Sequence, residues 1–337
     1  MTLSRYSTLS SMTTLPLNPT PSVPAPAKPW DDSPLLQKLL NRGGRFALDS
    51  FRVYTLYSPL LFTGNDFEID GQGATLKIAD GVPTNTAAGD TLHLQNCNRG
   101  KIHNLTFDGN RANRPPAPQS CPATLRIQGC NDLVISDCAF VNDALDGIFV
   151  WCATVGTDVN SASKYIRVTG CTFDSPGRNG ISIIHGAFVR IDHNIFRNAR
   201  GLDPQCGVDI EPNPTDAPGI AHDIILESNL VENCGKGLAA NVGFEMYGIT
   251  FRSNDITGCD TGLFNAASGA SILGNVVSGS KSLDINVSNA DRCSLLNNVA
   301  GSIYADTYSI PSPVGHTLIG NVGEVNVKYA GGNTVVK

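Results

Sequence analysis

A short phrase recurs nine times between residues 104 and 323, and its spacing leaves very few architectures open to the chain. It reads Asn104-Leu-Thr-Phe107, Asp137-Cys-Ala-Phe140, Gly170-Cys-Thr-Phe173, His193-Asn-Ile-Phe196, Ser228-Asn-Leu-Val231, Ser253-Asn-Asp-Ile256, Gly274-Asn-Val-Val277, Asn297-Asn-Val-Ala300 and Gly320-Asn-Val-Gly323. Its second position falls at Leu105, Cys138, Cys171, Asn194, Asn229, Asn254, Asn275, Asn298 and Asn321, in steps of 33, 33, 23, 35, 25, 21, 23 and 23 residues. A basic period of about 21–25 residues, stretched by about ten in a few units, marks a solenoid.

Each unit holds short runs rich in Val, Ile, Leu and Phe, such as Leu133-Val-Ile135, Tyr165-Ile-Arg-Val168, Ile224-Ile-Leu226 and Ile249-Thr-Phe251, broken by Gly, Asn and Asp. Such runs are too short for helices and have the β-branched bias of strands. A coil of this length with two or three strands predicts an all-β, parallel β-helix. The strict leucine consensus of leucine-rich repeats is missing. The asparagine run from 194 to 321 predicts a turn residue stacked on itself once per coil, its amide bonding to the next asparagine. The same turn needs a left-handed residue, a conformation asparagine tolerates.

A second column supports the register. The segments Gly147-Ile-Phe-Val-Trp151, Gly180-Ile-Ser-Ile-Ile184, Gly207-Val-Asp-Ile-Glu211, Gly237-Leu-Ala-Ala-Asn241 and Gly262-Leu-Phe-Asn-Ala266 align as one strand of successive coils. Residues two apart on a strand share a face. Ile148, Ile181, Val208, Leu238 and Leu263 therefore stack inward, and Phe149, Trp151, Ser182, Asp209, Glu211 and Asn241 point outward.

The rest of the chain bounds the reading. Residues 1–32 form a Pro/Ser/Thr-rich tail, and 33–337 read as a single solenoid domain. Ser33 at N-cap, Pro34 at N1 and Gly43-Gly44 after the end predict a short helix that caps the N-terminal end of the solenoid. Among 337 residues the net charge is −6, with no Lys/Arg cluster, which argues against a nucleic-acid partner. No apolar run is long enough to span a membrane. The ten cysteines include no C-x-x-C pair. Several lie one coil apart, so they read as small apolar core residues in a reducing compartment rather than as disulfides or zinc ligands. The tail lacks the apolar stretch of a secretory signal. A cytoplasmic place, export by another route, or a place on a virion all stay open.

Chemistry is expected around Asp209 and Glu211, two residues apart on one outward face and so about 6.5–7 Å apart at Cα. The neighbouring rungs add Trp151, Phe149, His185 and Asn241, and longer loops at 111–124, 153–164, 197–205 and 212–222 would wall the site. Asp203 is a third carboxylate.

The asparagine run, the capping helix, Asp108-Gly-Asn-Arg111 and Gly207-Val-Asp-Ile-Glu-Pro212 resemble the pectate-lyase-like superfamily of right-handed parallel β-helices, over roughly residues 33–337. That resemblance implies a polysaccharide or oligosaccharide partner and a monomer or homotrimer. It spans lyases, glycoside hydrolases, uronate epimerases and phage tailspike depolymerases, so fold does not settle activity. The Gly-His-Gly motif of polygalacturonases is absent. Gln205 stands where the Asp-Pro-His of mannuronan epimerases has its histidine.

Three readings stand open. In a glycoside hydrolase without cofactor, Asp209, Glu211, Asp203 and His185 would supply the catalysis. Trp151, Phe149, Asn241, Arg178 and Lys236 would bind the sugar. In a lyase or epimerase, Asp209 and Glu211 would hold Ca²⁺, with Arg178 or Lys236 as base. In a non-catalytic glycan-binding or phage tail protein, the same surface would only bind.

Overall fold

The computed structural model describes residues 30–84, 89–118, 123–153, 161–212, 220–241, 246–307, 310, 314–328 and 332–336. Most of the tail and much of the loops at 153–164 and 212–222 lie outside these residues. Asp31 onward forms one compact unit.

The described strands form a twelve-stranded and a twenty-stranded sheet, and every strand pairing is parallel. The pairings resolve into three stacks. One runs from Arg45–Ala47 to Thr334–Val336, a second begins at Val53–Leu56 and a third at Leu60–Phe62. The long strand Val299–Asp306 joins the second stack to the third: Val299 pairs with Val276, whereas Ile303 pairs with Ile285. This is the parallel β-helix that the repeat predicts. The inward column is also as expected: Ile148, Ile181, Val208, Leu238 and Leu263 pair in succession and are fully buried.

The recurring phrase is the turn between the first and second stacks. Asn194 Nδ2 donates to Asn229 Oδ1 at 3.1 Å, and the same bond repeats from Asn229 to Asn254 to Asn275 to Asn298 to Asn321 at 2.8–3.0 Å. Each Oδ1 also accepts the preceding asparagine's backbone N–H, and each Nδ2 also reaches a carbonyl such as Val168 O or Ile191 O. The amides are thus satisfied inside the solenoid, as buried polar groups must be. One expectation is corrected. The left-handed residue is the one before the ladder asparagine, at His193, Ser228, Ser253 and Asn297 with φ of 53–57°. This leaves the ladder amide pointing inward while its neighbour absorbs the bend.

Inside the coils Phe107, Phe140, Phe173 and Phe196 stack with ring centroids 4.7–4.9 Å apart and planes within 13°. Eight of the described cysteines are buried free thiols, and Cys152 is buried as well; Cys121 lies outside the described residues. The glycines that open the third-stack strands mark a close approach. A Cβ on Gly180 would lie 2.6 Å from Gly207 O and 2.7 Å from the Phe196 ring, and one on Gly207 would lie 2.6 Å from Gly237 O. No real Cβ tolerates that, so the corner must be glycine in rung after rung.

The helix spans Ser33–Leu40 with Asp32 at N-cap, so Ser33 and Pro34 each sit one position further into the helix than the sequence suggests. The reason is that Ser33 and Asp32 turn towards the first coil. Ser33 Oγ accepts Tyr57 N–H, Asp32 Oδ2 accepts Thr55 N–H, and the Gln37 amide bonds both N–H and C=O of Leu61. Leu36 and Leu40 close the core. The helix therefore serves the exposed strand edge that would otherwise invite another chain.

Candidate functional site

The outer face of the third stack carries the candidate site. Its register places Ser182 between Phe149 and Asp209, and Asp209 between Ser182 and Ala239. These side chains point away from the core, yet they do not line an open groove. Phe149, Ser182, Asp209 and Asn241 are all buried, with Asp209 only 2% exposed. A polar network over them accounts for this.

The network begins one residue before the glycine column, at Asp146, Asn179 and Lys236. Arg178 Nε and Nη2 donate to Asp146 Oδ1 and Oδ2 at 2.9 and 2.5 Å. Asp146 also accepts the Asn179 backbone N–H and the Ser182 hydroxyl. Asn179 Nδ2 donates to Ser182 Oγ at 3.0 Å and to Asp209 Oδ2 at 3.2 Å, while its Oδ1 accepts Cys206 N–H at 2.8 Å. Asn241 Nδ2 donates to Asp209 Oδ1 at 2.5 Å, and Lys236 Nζ donates to Asn241 Oδ1 at 2.6 Å. Asp209 thus receives one amide hydrogen on each oxygen.

Two effects oppose each other at Asp209. Burial, helped by the charge of Glu211, pushes its carboxyl up to about 7, against the Asn241 hydrogen bond and the Arg178 charge, which favour the ionised form. Asp143 is the other raised acid of this region. Burial pushes it up to about 7 as well, and its Oδ2 has no hydrogen-bond partner. Arg178 is held above its ordinary range: burial opposes this, but the bonds to Asp146 outweigh it.

The expected residues divide into three groups. Asp209, Asn241, Lys236 and Arg178 are brought together, but Arg178 is committed to Asp146 rather than open to a ligand. Glu211 follows the strand Cys206–Ile210 and is exposed, so it lies beside the network and open to solvent. Trp151 is half-buried and stacks on Phe149 with centroids 5.1 Å apart, while Arg126 covers that Phe149 ring at 5.1 Å and is paired with Asp90. His185 and Asp203 stand apart. His185 is buried with Nε2 unpartnered, and burial, then the charges of Lys164 and His222, push its imidazole below its usual value. Both of those charged neighbours lie near the start of first-stack strands, Ser163–Thr169 and Ala221–Glu227. Asp203 is exposed in the loop before the strand.

Sequence reasoning missed Asp146, Asn179, Ser182 and Asp143. The signal for two of them was present: the residue before each corner glycine is Asp146, Asn179, Cys206 and Lys236 in successive rungs. Among the described residues no group of three His, Cys, Asp or Glu side chains converges as a metal site.

Comparison with known proteins agrees with the architecture. Residues 62–211 match the family model described as a right handed beta helix region. An exopolygalacturonase from Thermotoga maritima is similar with a TM-score of 0.62 at 11% identity, over 90% of this chain and 86% of that one. The A-module of a mannuronan C-5 epimerase from Azotobacter vinelandii gives 0.54 at 14% identity, over 91% and 96%. The N-terminal fragment of gene product 12 of bacteriophage phi29 gives 0.62 at 15% identity, over 88% and 63%. No curated protein sequence matches the chain. The protein is a right-handed parallel β-helix, and the resemblance read from its sequence stands at the level of that fold. Among the described residues no helix is long and apolar enough to cross a membrane.

Proposed function

We propose that the protein acts on a polysaccharide as a glycoside hydrolase, with Asp209 as acid and Glu211 as base. The observation that carries this reading is the pairing of a buried carboxyl, held near its midpoint at neutral pH, with an exposed carboxylate two residues on. Environments that separate two carboxyls in this way suit an acid/base division. The Asp209 proton passes to the glycosidic oxygen as the bond from that oxygen to the anomeric carbon breaks. A water oxygen forms the new bond to that carbon, and Glu211 takes the proton the water gives up. Trp151, half-buried and backed by Phe149, supplies an aromatic edge for a sugar ring on the same sheet face. Likeness to an exopolygalacturonase and an epimerase supports a polysaccharide substrate.

The lyase alternative is weaker here. Arg178, a candidate base, is tied to Asp146 by two bonds. The test is turnover on neutral and uronate-containing polysaccharides, following new reducing ends and the ultraviolet absorbance of an unsaturated product, with calcium or chelator. Reducing ends alone, lost in Asp209→Asn and in Glu211→Gln, support hydrolysis. A calcium-dependent unsaturated product overturns it for the lyase, and silence on a polysaccharide that demonstrably binds leaves a non-catalytic binder.

A further inference from the structure

The Asn241 amide is held at both ends. Its Oδ1 accepts from Lys236 Nζ at 2.6 Å, and its Nδ2 donates to Asp209 at 2.5 Å. An ammonium has hydrogens and no acceptor, so the oxygen end of the amide must face it. Lys236 itself is anchored over the Phe264 ring of the next rung, 4.6 Å from its centroid. On the other side the Asn179 oxygen is occupied by Cys206 N–H, so that amide too turns its hydrogens to Asp209.

Both amides are therefore fixed as donors, and neither can accept a proton from Asp209. The remaining charged groups that act on Asp209 are Arg178, Asp146 and Glu211. Arg178 has no acceptor, and Asp146 is filled by Arg178, Ser182 and the Asn179 N–H. A proton on Asp209 therefore finds no acceptor in either amide.

We propose that Lys236 is a positioning residue rather than a sugar ligand: by holding the Asn241 oxygen it stops that amide from turning over, so that Asp209 receives a hydrogen bond from it and keeps its own proton for an incoming oxygen. This rests on Asp209 being the acid. Without the ammonium, Asn241 is free to present its oxygen to a protonated Asp209, which stabilises the neutral form.

The experiment is carboxyl ¹³C NMR titration of the full chain with labelled aspartate, the Asp209 signal being assigned by its loss in Asp209→Asn. Lys236→Met is expected to raise the Asp209 midpoint by about one pH unit, while Lys236→Arg leaves it in place. In an Asn241→Leu background the Lys236→Met shift should largely vanish. An equal shift in both backgrounds means that the ammonium acts through space alone and overturns the proposal, as does an unmoved midpoint in Lys236→Met. Lys236→Leu replaces Lys236→Met if the latter does not fold. The titration needs no substrate, so its failure is separable from failure of the hydrolase reading, which appears only in turnover.

Discussion

Arg178 and Asp146 meet through two parallel bonds, Nε to Oδ1 and Nη2 to Oδ2, with the Asp146 side chain 1% exposed and that of Arg178 16% exposed. Paired fork-to-carboxylate geometry is the strong form of an ion pair. Here it does more than bind its partner, since Asp146 also fixes Ser182 and the Asn179 backbone, and through them Asn179 reaches Asp209.

Removing one partner strands the other. Arg178→Met should cost about 3 kcal/mol, and Asp146→Asn a similar amount, while the double variant should recover part of the sum. Urea denaturation of the three variants reads this as a coupling energy. Strictly additive losses would show that the pair is not a unit.

The asparagine ladder should fail unevenly. Asn254→Ala removes the acceptor of the Asn229 backbone and side-chain amides and the side-chain donor to Leu226 O, while Asn275 Oδ1 keeps the backbone N–H of residue 254. Leaving buried groups unpaired costs about 1–3 kcal/mol each at most, so a loss of about 3 kcal/mol is expected. Asn321→Ala, at the half-buried last rung, should cost well under half of that. Equal midpoints in chemical denaturation would contradict the ladder's role.

Stability should fall with rising pH through the buried acids. Asp143 and Asp209 have folded values of about 7, above the unfolded value of about 3.9. Their contribution is fully present below that unfolded value and is lost as pH rises towards 7, because in that window the folded chain holds protons the unfolded chain has released. Asp192 behaves oppositely. Burial works against its charge, but Arg167, His193 and Thr169 together hold it at about 2, so its contribution is lost only in strong acid. Asp143→Asn should therefore gain on the parent protein between pH 5 and pH 7, by at most about 1.4 kcal/mol per pH unit. Parallel stability curves over that range would rule this out.

Trp151→Ala tests the aromatic edge. Losing a stacking surface costs about 0.5–1.5 kcal/mol, which is roughly a threefold to tenfold rise in KM with little change in kcat. A fall in kcat at constant KM would place Trp151 among the groups that act only in the transition state.

The parts of this molecule that repeat were legible, and the parts that occur once were not. Asn194 to Asn321 and the Gly147–Gly262 column each recur in register, so turn and strand could be aligned without coordinates. Asp209 also emerged, because an acid amid apolar rungs breaks the pattern. Its burial did not, since alternation tells inside from outside of a sheet but says nothing of what lies over the outer face. The direction of His185 was not legible for a related reason: it follows the strand Ile181–Ile183 by two residues, where the chain turns into the first stack and strand parity no longer applies. Asp146 and Asn179 were missed because they sit where the coil corner meets its third-stack strand, ahead of the glycine from which the alternation is counted.

Because each ladder asparagine bonds only to groups of the adjoining coils, the molecule's extent is a tally, not a fixed dimension. Duplicating or deleting the stretch between Asn275 and Asn298 would bring together ends that already match. A lineage can thus lengthen or shorten this surface by copying or losing a single coil. The rungs that hold Asp209 would keep their own immediate neighbours throughout.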